Sequence, residues 1–408
     1  MKIPRKAIHV MIGVEVIVLI IVAIVSVLHP FEKVVTKYEG PKHEQNIEVV
    51  STQTEETEAE SEPEVTELTI SDAVREKVMS MSLEEKVAQM FVTTPEALTG
   101  MRQVTATGNT TKTAISNYPV GGVVYSALNF AGHIQTASMT ETLQTYYVEQ
   151  FGMPLFLMVE EFGGSNASPL ASGNGFEVEK SPLEIGTENN AENAVIKANN
   201  IATYMLSQGL NTTMGICADL TSEIESDYNA QTFSADAITA SNMVDSTVKA
   251  YKEAGVFTAV SMFPGESNGL FMEREFLEWE QQEGLAYEAA IAAGTDMIIV
   301  GNAYANCFTS EEEIPCCMSP EVVTYLRYDM NYQGILLTDA LDEEHLLEKY
   351  TVGEAAVQAI NAGIDMVYCP SDFKEAYQAV LDAVTDGTIH EELINEAVMR
   401  ILTYKNYE

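Results

Sequence analysis

Gly334-Ile335-Leu336-Leu337-Thr338-Asp339-Ala340-Leu341-Asp342 is the stretch on which the fold turns. Ile335–Thr338 has the length and the apolar, partly β-branched character of a strand buried on both faces, and such strands belong to parallel sheets covered by helices. The run ends in a carboxylate. In barrels and in open doubly wound sheets alike, chemistry sits beyond the C-terminal ends of the strands, where Asp339 falls. A lone Asp in that place more often caps the next helix, and Glu343, Glu344, His345 and Leu346 look like a helix start. What decides between the two roles is whether other strands end the same way.

Working outward, seven more runs of this kind recur: Met90–Thr93, Gly121–Tyr125, Leu155–Val159, Thr212–Cys217, Val256–Val260, Met297–Val300 and Met366–Cys369. Amphipathic helical stretches lie between them, at Ala191–Gln208, Ala237–Ala254, Glu278–Ala293, Val322–Met330, Val352–Ala362 and Lys374–Val384. Strand and helix alternating at this spacing predict an α/β parallel sheet. Eight units favour closure into a single (β/α)8 TIM-type barrel over residues 68–408. No Gly-rich dinucleotide loop and no phosphate-binding loop follows any of the strands, which removes the main support for an open sheet with a nucleotide cofactor. No cofactor is expected.

Ahead of the barrel, Lys2, Arg5 and Lys6 precede an apolar run, Ala7–Leu28, interrupted by His9 and Glu15 and long enough to cross a bilayer. Ser26-Val27-Leu28-His29-Pro30 offers no small-residue cleavage site, so the run reads as an uncleaved signal-anchor. Basic flanks stay cytoplasmic, which places residues 1–6 inside, 7–28 in the cell membrane as a single pass, and the C-terminal domain outside. Residues 29–67 are rich in Glu, Thr and Ser and read as a disordered acidic stalk. The sequence leaves the oligomeric state open.

Sixty-one acidic against 21 basic residues, a net charge of −40, argue against nucleic acid as a partner and are compatible with a carbohydrate ligand. The five cysteines make no disulfide framework, and neither they nor the six histidines have zinc-ligand spacing. A metal is not expected.

The strand ends supply the chemistry. Glu160 and Glu161 follow the third run, Asp219 the fourth and Asp339 the seventh. Carboxylates around a neutral substrate suit glycosidic bond hydrolysis, in which one attacks the anomeric carbon or supports a water while another group protonates the leaving oxygen. Each also has a plainer role: Glu160 and Glu161 as solvated loop residues before Gly163-Gly164, Asp219 as a turn cap with Thr221-Ser222.

These residues also carry a family resemblance. Ser82–Phe91 (SLEEKVAQMF) resembles the entry helix and first strand of glycoside hydrolase family 3, in its single-barrel β-N-acetylhexosaminidase branch. Val159-Glu160-Glu161-Phe162-Gly163-Gly164 is similar to the family's D-Q-E-G-G, Phe263-Pro264-Gly265 to the core of its K-H-F-P-G-H-G, and Ala362-Gly363-Ile364-Asp365 and Ala397–Leu402 to its closing motifs. The resemblance implies a retaining mechanism with Asp339 as nucleophile, Glu160 in the place of the sugar-hydroxyl-binding Asp, and Asp219 in a structural place near the site. Several of the family's groups are replaced. Its Lys-His is Ser261-Met262, its two clamping arginines fall on Ser165 and Gln231, its strand-six histidine on Gly301-Asn302, and the loop that carries its acid/base histidine has none here. Glu266, and further along the loop Glu273, are the candidate substitutes for that acid/base if burial raises their carboxyls. The expected function is therefore a membrane-anchored extracellular glycosidase, with a catalytically impaired carbohydrate-binding or scaffolding module as the alternative.

Overall fold

A computed structural model describes residues 68–221, 227–265, 271–272, 274–309 and 314–407. The signal-anchor, the stalk, Glu266 and Glu273 lie outside the described residues; within them, no helix is long and apolar enough to cross a membrane. Eight strands form a closed, all-parallel barrel: β1 (Phe91–Thr93), β2 (Gly122–Tyr125), β3 (Phe156–Val159), β4 (Thr212–Cys217), β5 (Phe257–Phe263), β6 (Met297–Val300), β7 (Ile335–Ala340) and β8 (Met366–Cys369). Each pairs with its neighbours in sequence, and β8 closes on β1 through Phe91 opposite Val367 and Thr93 opposite Cys369. Every expected run is a strand. A separate two-stranded parallel pair, Phe271–Met272 with Tyr304–Ala305, lies outside the barrel.

Two strands are longer than the apolar pattern indicates. β5 continues through Ser261-Met262-Phe263, where Ser261 sits opposite Cys217 and its carbonyl accepts from Ala218 N at 2.7 Å. β7 continues through Asp339 and Ala340, so the acid belongs to the strand itself. The helix beyond it starts at Glu344 with Glu343 as its N-cap, and Asp339 does not cap it.

The surrounding helices are set by local chemistry. Ser82 and Glu85 close a reciprocal capping box on α1 (Leu83–Gln89), and Thr351 with Glu354 does the same further along the chain. The principal helices after α1 are α2 (His133–Phe151), α3 (Ala191–Ser207), α4 (Ala237–Glu253), α5 (Glu283–Ala292), α6 (Val352–Ala362), α7 (Phe373–Thr385) and α8 (Glu391–Tyr404). Two expected helices differ in detail. Glu278–Ala293 is broken at Gln281-Gln282 into Phe276–Glu280 and α5, and Val322–Met330 is a short α-helix, Pro320–Thr324, running into a π-turn over Tyr325–Asp329.

Charged clasps hold the face where the strands begin. Asp296, just before β6, accepts from Lys252 Nζ at 2.7 Å and from Thr258 N at 2.9 Å. Asp365, just before β8, joins Arg327 at 2.6 Å, Arg400 at 2.5 Å and Leu336 N at 2.8 Å. Lys405 is buried on Gln89 Oε1 at 3.0 Å, with the rings of Phe156 and Tyr147 beneath it. In a barrel of this kind such residues serve stability, and the opposite face is free for chemistry.

Candidate active site

At the C-terminal ends of the strands, Asp339 is partly exposed on β7, Glu160 is exposed directly after β3, and Asp219 is buried two residues beyond β4. Tyr368, the third residue of β8, marks where the acids meet. Burial first, and then the carboxylates of Glu160, Asp339 and Asp342, raise its phenol far above the ordinary range. The same phenol therefore feels three carboxylates brought in by two segments, Glu160 from the end of β3 and Asp339 with Asp342 from the end of β7. Glu160 is open to solvent yet ringed by protein at the mouth, and that desolvation raises its carboxyl. Solvent reaches the carboxyl, but too little of it to hydrate a full charge as bulk water would.

Asp219 has a different role. Its Oδ1 accepts from Leu220 N at 2.8 Å and its Oδ2 from Tyr228 OH at 3.4 Å, so it braces the turn after β4 from inside. Of the turn expected with Thr221-Ser222, Ser222 lies outside the described residues, and the bonds of Asp219 run to Leu220 and Tyr228 instead. Glu266 falls outside the described residues, as does any contact it makes.

Glu161 departs from the solvated-loop reading. Its side chain is fully buried, and it accepts from Gly163 N and Leu170 N, both at 3.0 Å. Burial raises its carboxyl to about 7 against the lowering effects of Ser168, these two amides and Lys197. Lys197, buried on α3, donates to the carbonyl of Phe162, and its ammonium is lowered to about 7, chiefly by desolvation. Glu161 and Lys197 thus tie down the loop that carries Glu160. Gly163 and Gly164 adopt φ of +77° and +76°, and a Cβ on Gly163 would stand 2.7 Å from the Lys180 carbonyl. On the neighbouring strand, a Cβ on Gly215 would lie 2.0 Å from the Glu161 carbonyl, so β4 and this loop are in backbone contact.

A second polar cluster joins the ends of β6 and β7. Asn302 is buried; its Nδ2 donates to Ala340 O at 2.8 Å and to Glu343 Oε2 at 3.1 Å, and its Oδ1 accepts from Cys317 Sγ at 3.1 Å. His345 faces the cluster, with Nε2 3.3 Å from Asn302 O and Nδ1 3.5 Å from Glu343 Oε2. Burial, Cys316, Asp339 and Glu343 all raise the Cys317 thiol, which stays protonated as a donor. The motif reading treated Asn302 as the stand-in for a missing histidine. In the structure it is the crosspiece that fixes the carbonyl next to Asp339. Tyr368, Asp342, Glu343 and His345 had no site role in the sequence reading. The available signal is position alone, since Asp342, Glu343 and His345 follow a strand run and Tyr368 is the penultimate residue of one.

Ser261 and Met262 occupy the last turn of β5, joined by a cis peptide, and Phe263-Pro264 is also cis. Tyr287 OH donates to Met262 O at 2.5 Å and Trp279 Nε1 to Pro264 O at 2.7 Å, so aromatic side chains hold this segment from behind. Among the described residues no group of His, Cys, Asp and Glu has the arrangement of a metal site. All five cysteines are buried, and none forms a disulfide.

Comparison with known proteins agrees with this architecture. The family model described as glycosyl hydrolase family 3 N terminal domain matches residues 82–404. Beta-hexosaminidase A of Pseudoalteromonas piscicida is 25% identical over 328 residues, covering 71% of this chain and 54% of that protein. A beta-N-acetylglucosaminidase/beta-glucosidase of Cellulomonas fimi is 28% identical over 198 residues, covering 43% of this chain and 34% of its own length. The chain thus spans about half or less of these curated relatives. Among solved structures, a glycoside hydrolase family 3 beta-N-acetylglucosaminidase from Paenibacillus sp. str. FPU-7 superposes with a TM-score of 0.74 at 25% identity, over 80% of this chain and 63% of that one. A beta-N-acetylhexosaminidase from Beutenbergia cavernae shares the fold, with a TM-score of 0.70 at 22% identity, over 80% of this chain and 99% of that one. With the family model running from the capped helix before β1 to the last helix of the barrel, the chain belongs to glycosyl hydrolase family 3.

Proposed function

We propose that the chain is a membrane-anchored extracellular glycoside hydrolase that cleaves O-glycosidic bonds of a β-N-acetylhexosaminide, or a related cell-wall or glycan sugar, with retention. The observation that carries this reading is Asp339 on the last turn of β7, sharing the barrel mouth with Glu160 and Asp342 around Tyr368. Asp339 attacks the anomeric carbon as the leaving oxygen takes a proton. Water then attacks the glycosyl-enzyme ester and returns the carboxylate. Glu160 holds the sugar hydroxyls, Asp219 supports the β4 turn, and Glu266 is the candidate acid/base. A retaining pair stands about 5–5.5 Å apart, so the loop bearing Glu266 has to bring it that close to Asp339.

A second reading is a carbohydrate-binding or scaffolding barrel with impaired catalysis. It is favoured by one observation: Ser165, Gln231, Ser261-Met262 and Asn302 stand where the family has its clamping and proton-transferring groups. General acid catalysis contributes roughly 10²–10⁴-fold, and a barrel without it is slow on poor leaving groups. Aryl β-N-acetylglucosaminides and aryl β-glucosides need little acid assistance, so they separate the readings. Turnover that Asp339→Asn lowers by about 10³-fold or more supports the hydrolase. Saturable sugar binding with no aryl-glycoside turnover supports the binding module.

A further inference from the structure

We infer that the Tyr368 hydroxyl contacts the substrate, donating a hydrogen bond to an oxygen of the sugar unit that Asp339 attacks, a role that rests on the barrel mouth being the glycoside site. The hydroxyl is placed by β8 and left without a partner in the free protein.

Strand pairing fixes where this side chain points. Phe91 lies opposite Val367, and Val92 opposite Tyr368. Phe91 turns outward, its ring meeting Phe373 and Tyr377 of α7 at 5.4 and 6.1 Å. Side chains alternate along a strand and paired residues share a face, so Val92 and Tyr368 turn into the barrel. A Cβ on Gly122 of β2 would stand 3.2 Å from Val92 Cγ2 and 3.0 Å from Met158 Sδ, which puts Met158 on that same inner face. Glu160 follows Met158 by two residues. On the other side, Ala340 lies opposite Tyr368, and Asp339 is the residue before it, on a strand about 4.8 Å away. The rise in the phenol caused by Glu160, Asp339 and Asp342 agrees with this placement.

Tyr368 is only 8% exposed, and its hydrogen bonds run through the backbone: N donates to Thr338 Oγ1 and O accepts from Leu341 N, both at 3.0 Å. The hydroxyl has no hydrogen-bond partner among the described residues. An enclosed O–H with its donor unspent is satisfied by a ligand that brings an acceptor. The ring and acetal oxygens of a sugar are acceptors only, and the carboxylates of the mouth cannot donate to them once ionised. Tyr368, kept protonated by burial, can. The donors that the family places around its sugar are replaced here by Ser261-Met262, Ser165 and Gln231, and Asn302 Nδ2 is committed to Ala340 O and Glu343 Oε2.

The test is Tyr368→Phe in the full-length chain, which deletes the oxygen and keeps the ring. A hydroxyl that serves the fold costs stability when removed, whereas one without a partner in the free protein does not. The melting temperature is therefore expected to stay within about 1 °C of the parent or to rise. Calorimetric affinity for β-linked pentamers of N-acetylglucosamine or glucose, whichever the parent binds, should fall about five- to tenfold, and kcat/KM on the matching aryl glycoside about tenfold. Parent-like affinity and kcat/KM overturn the inference and leave the hydrolase reading standing. A melting temperature lower by about 3 °C or more, with both losses, assigns the hydroxyl to the fold and overturns it too. If the parent binds a pentamer but turns over no aryl glycoside, the hydrolase reading falls and the affinity of Tyr368→Phe decides this inference by itself. If the parent neither binds nor turns over, both fall.

Discussion

Asp365→Asn removes the carboxylate shared by Arg327 and Arg400 while keeping an oxygen for Leu336 N. Asp365 and Arg327 side chains are 2% and 11% exposed, so neither can turn to water; Arg400, at 20%, recovers some hydration. Deleting one partner of a buried ion pair costs about 3–5 kcal/mol. The partial exposure of Arg400 argues for the lower part of that range, about 3–4 kcal/mol. Unfolding entropy of roughly 2.1 cal/mol/K per residue gives ~0.7 kcal/mol/K for a barrel spanning residues 68–407. The expected fall in melting temperature is therefore about 4–6 °C, read by scanning calorimetry at a fixed scan rate. Because this clasp is at the strand-beginning face, kcat on aryl glycosides well below the transition should stay within about twofold of the parent. A melting temperature within 1 °C of the parent would refute the reasoning about the buried pair. A normal melting temperature with a collapsed kcat would refute the division of labour between the two faces.

Further outcomes follow from single contacts. Glu161→Ala leaves the amides of Gly163 and Leu170 without their acceptor, at about 1–3 kcal/mol each, and should raise KM through a displaced Glu160 more than it lowers kcat. An unchanged KM would mean that the loop is held by Lys197 alone. Lys405 in the folded barrel is lowered by burial to about 7, whereas the unfolded chain holds that proton up to about 10.5. Between these values the unfolded state binds more protons, so stability rises with pH, and the penalty is fully present below 7. The melting temperature of Lys405→Met minus that of the parent should grow as pH falls from 9.5 to 7 and then level off; a difference independent of pH rules out a neutral buried lysine. Asp339→Asn should remove aryl-glycoside turnover while the sugar pentamers still bind, which calorimetry checks directly.

The strands were readable because a buried parallel strand is apolar at every position, and three of the eight runs match their strand limits at both ends: Thr212–Cys217, Met297–Val300 and Met366–Cys369. The misses occur where polar residues enter a strand. Ser261 and Asp339 look like loop residues, yet the pairing of Ser261 with Cys217 carries the first into β5, and the pairing of Ala340 with Tyr368 across a register shift carries β7 past the second. The break at Gln281-Gln282 leaves the apolar spacing of Glu278–Ala293 undisturbed, so periodicity could not reveal it. Glu161 was misread because its burial depends on amides of its own folded loop and on Lys197 from a helix 36 positions away. Asn302 shows the limit of motif reading: a position identified by what the family lost has acquired four contacts of its own.

The loop bearing Glu160 is secured by Glu161, by Lys197, by the close approach of Gly215 and by the bond from Gly164 N to Glu179 O, whereas the side chain of Ser165 on the same loop is exposed and bonds its neighbour Asn166. Stability and specificity therefore reside in different residues of one short segment. Ser165 can be randomised in a library without loosening the platform, and a basic residue introduced there would meet the mouth's carboxylates on a backbone already in place. For directed evolution, this loop is the natural starting point for changing which sugar the barrel accepts.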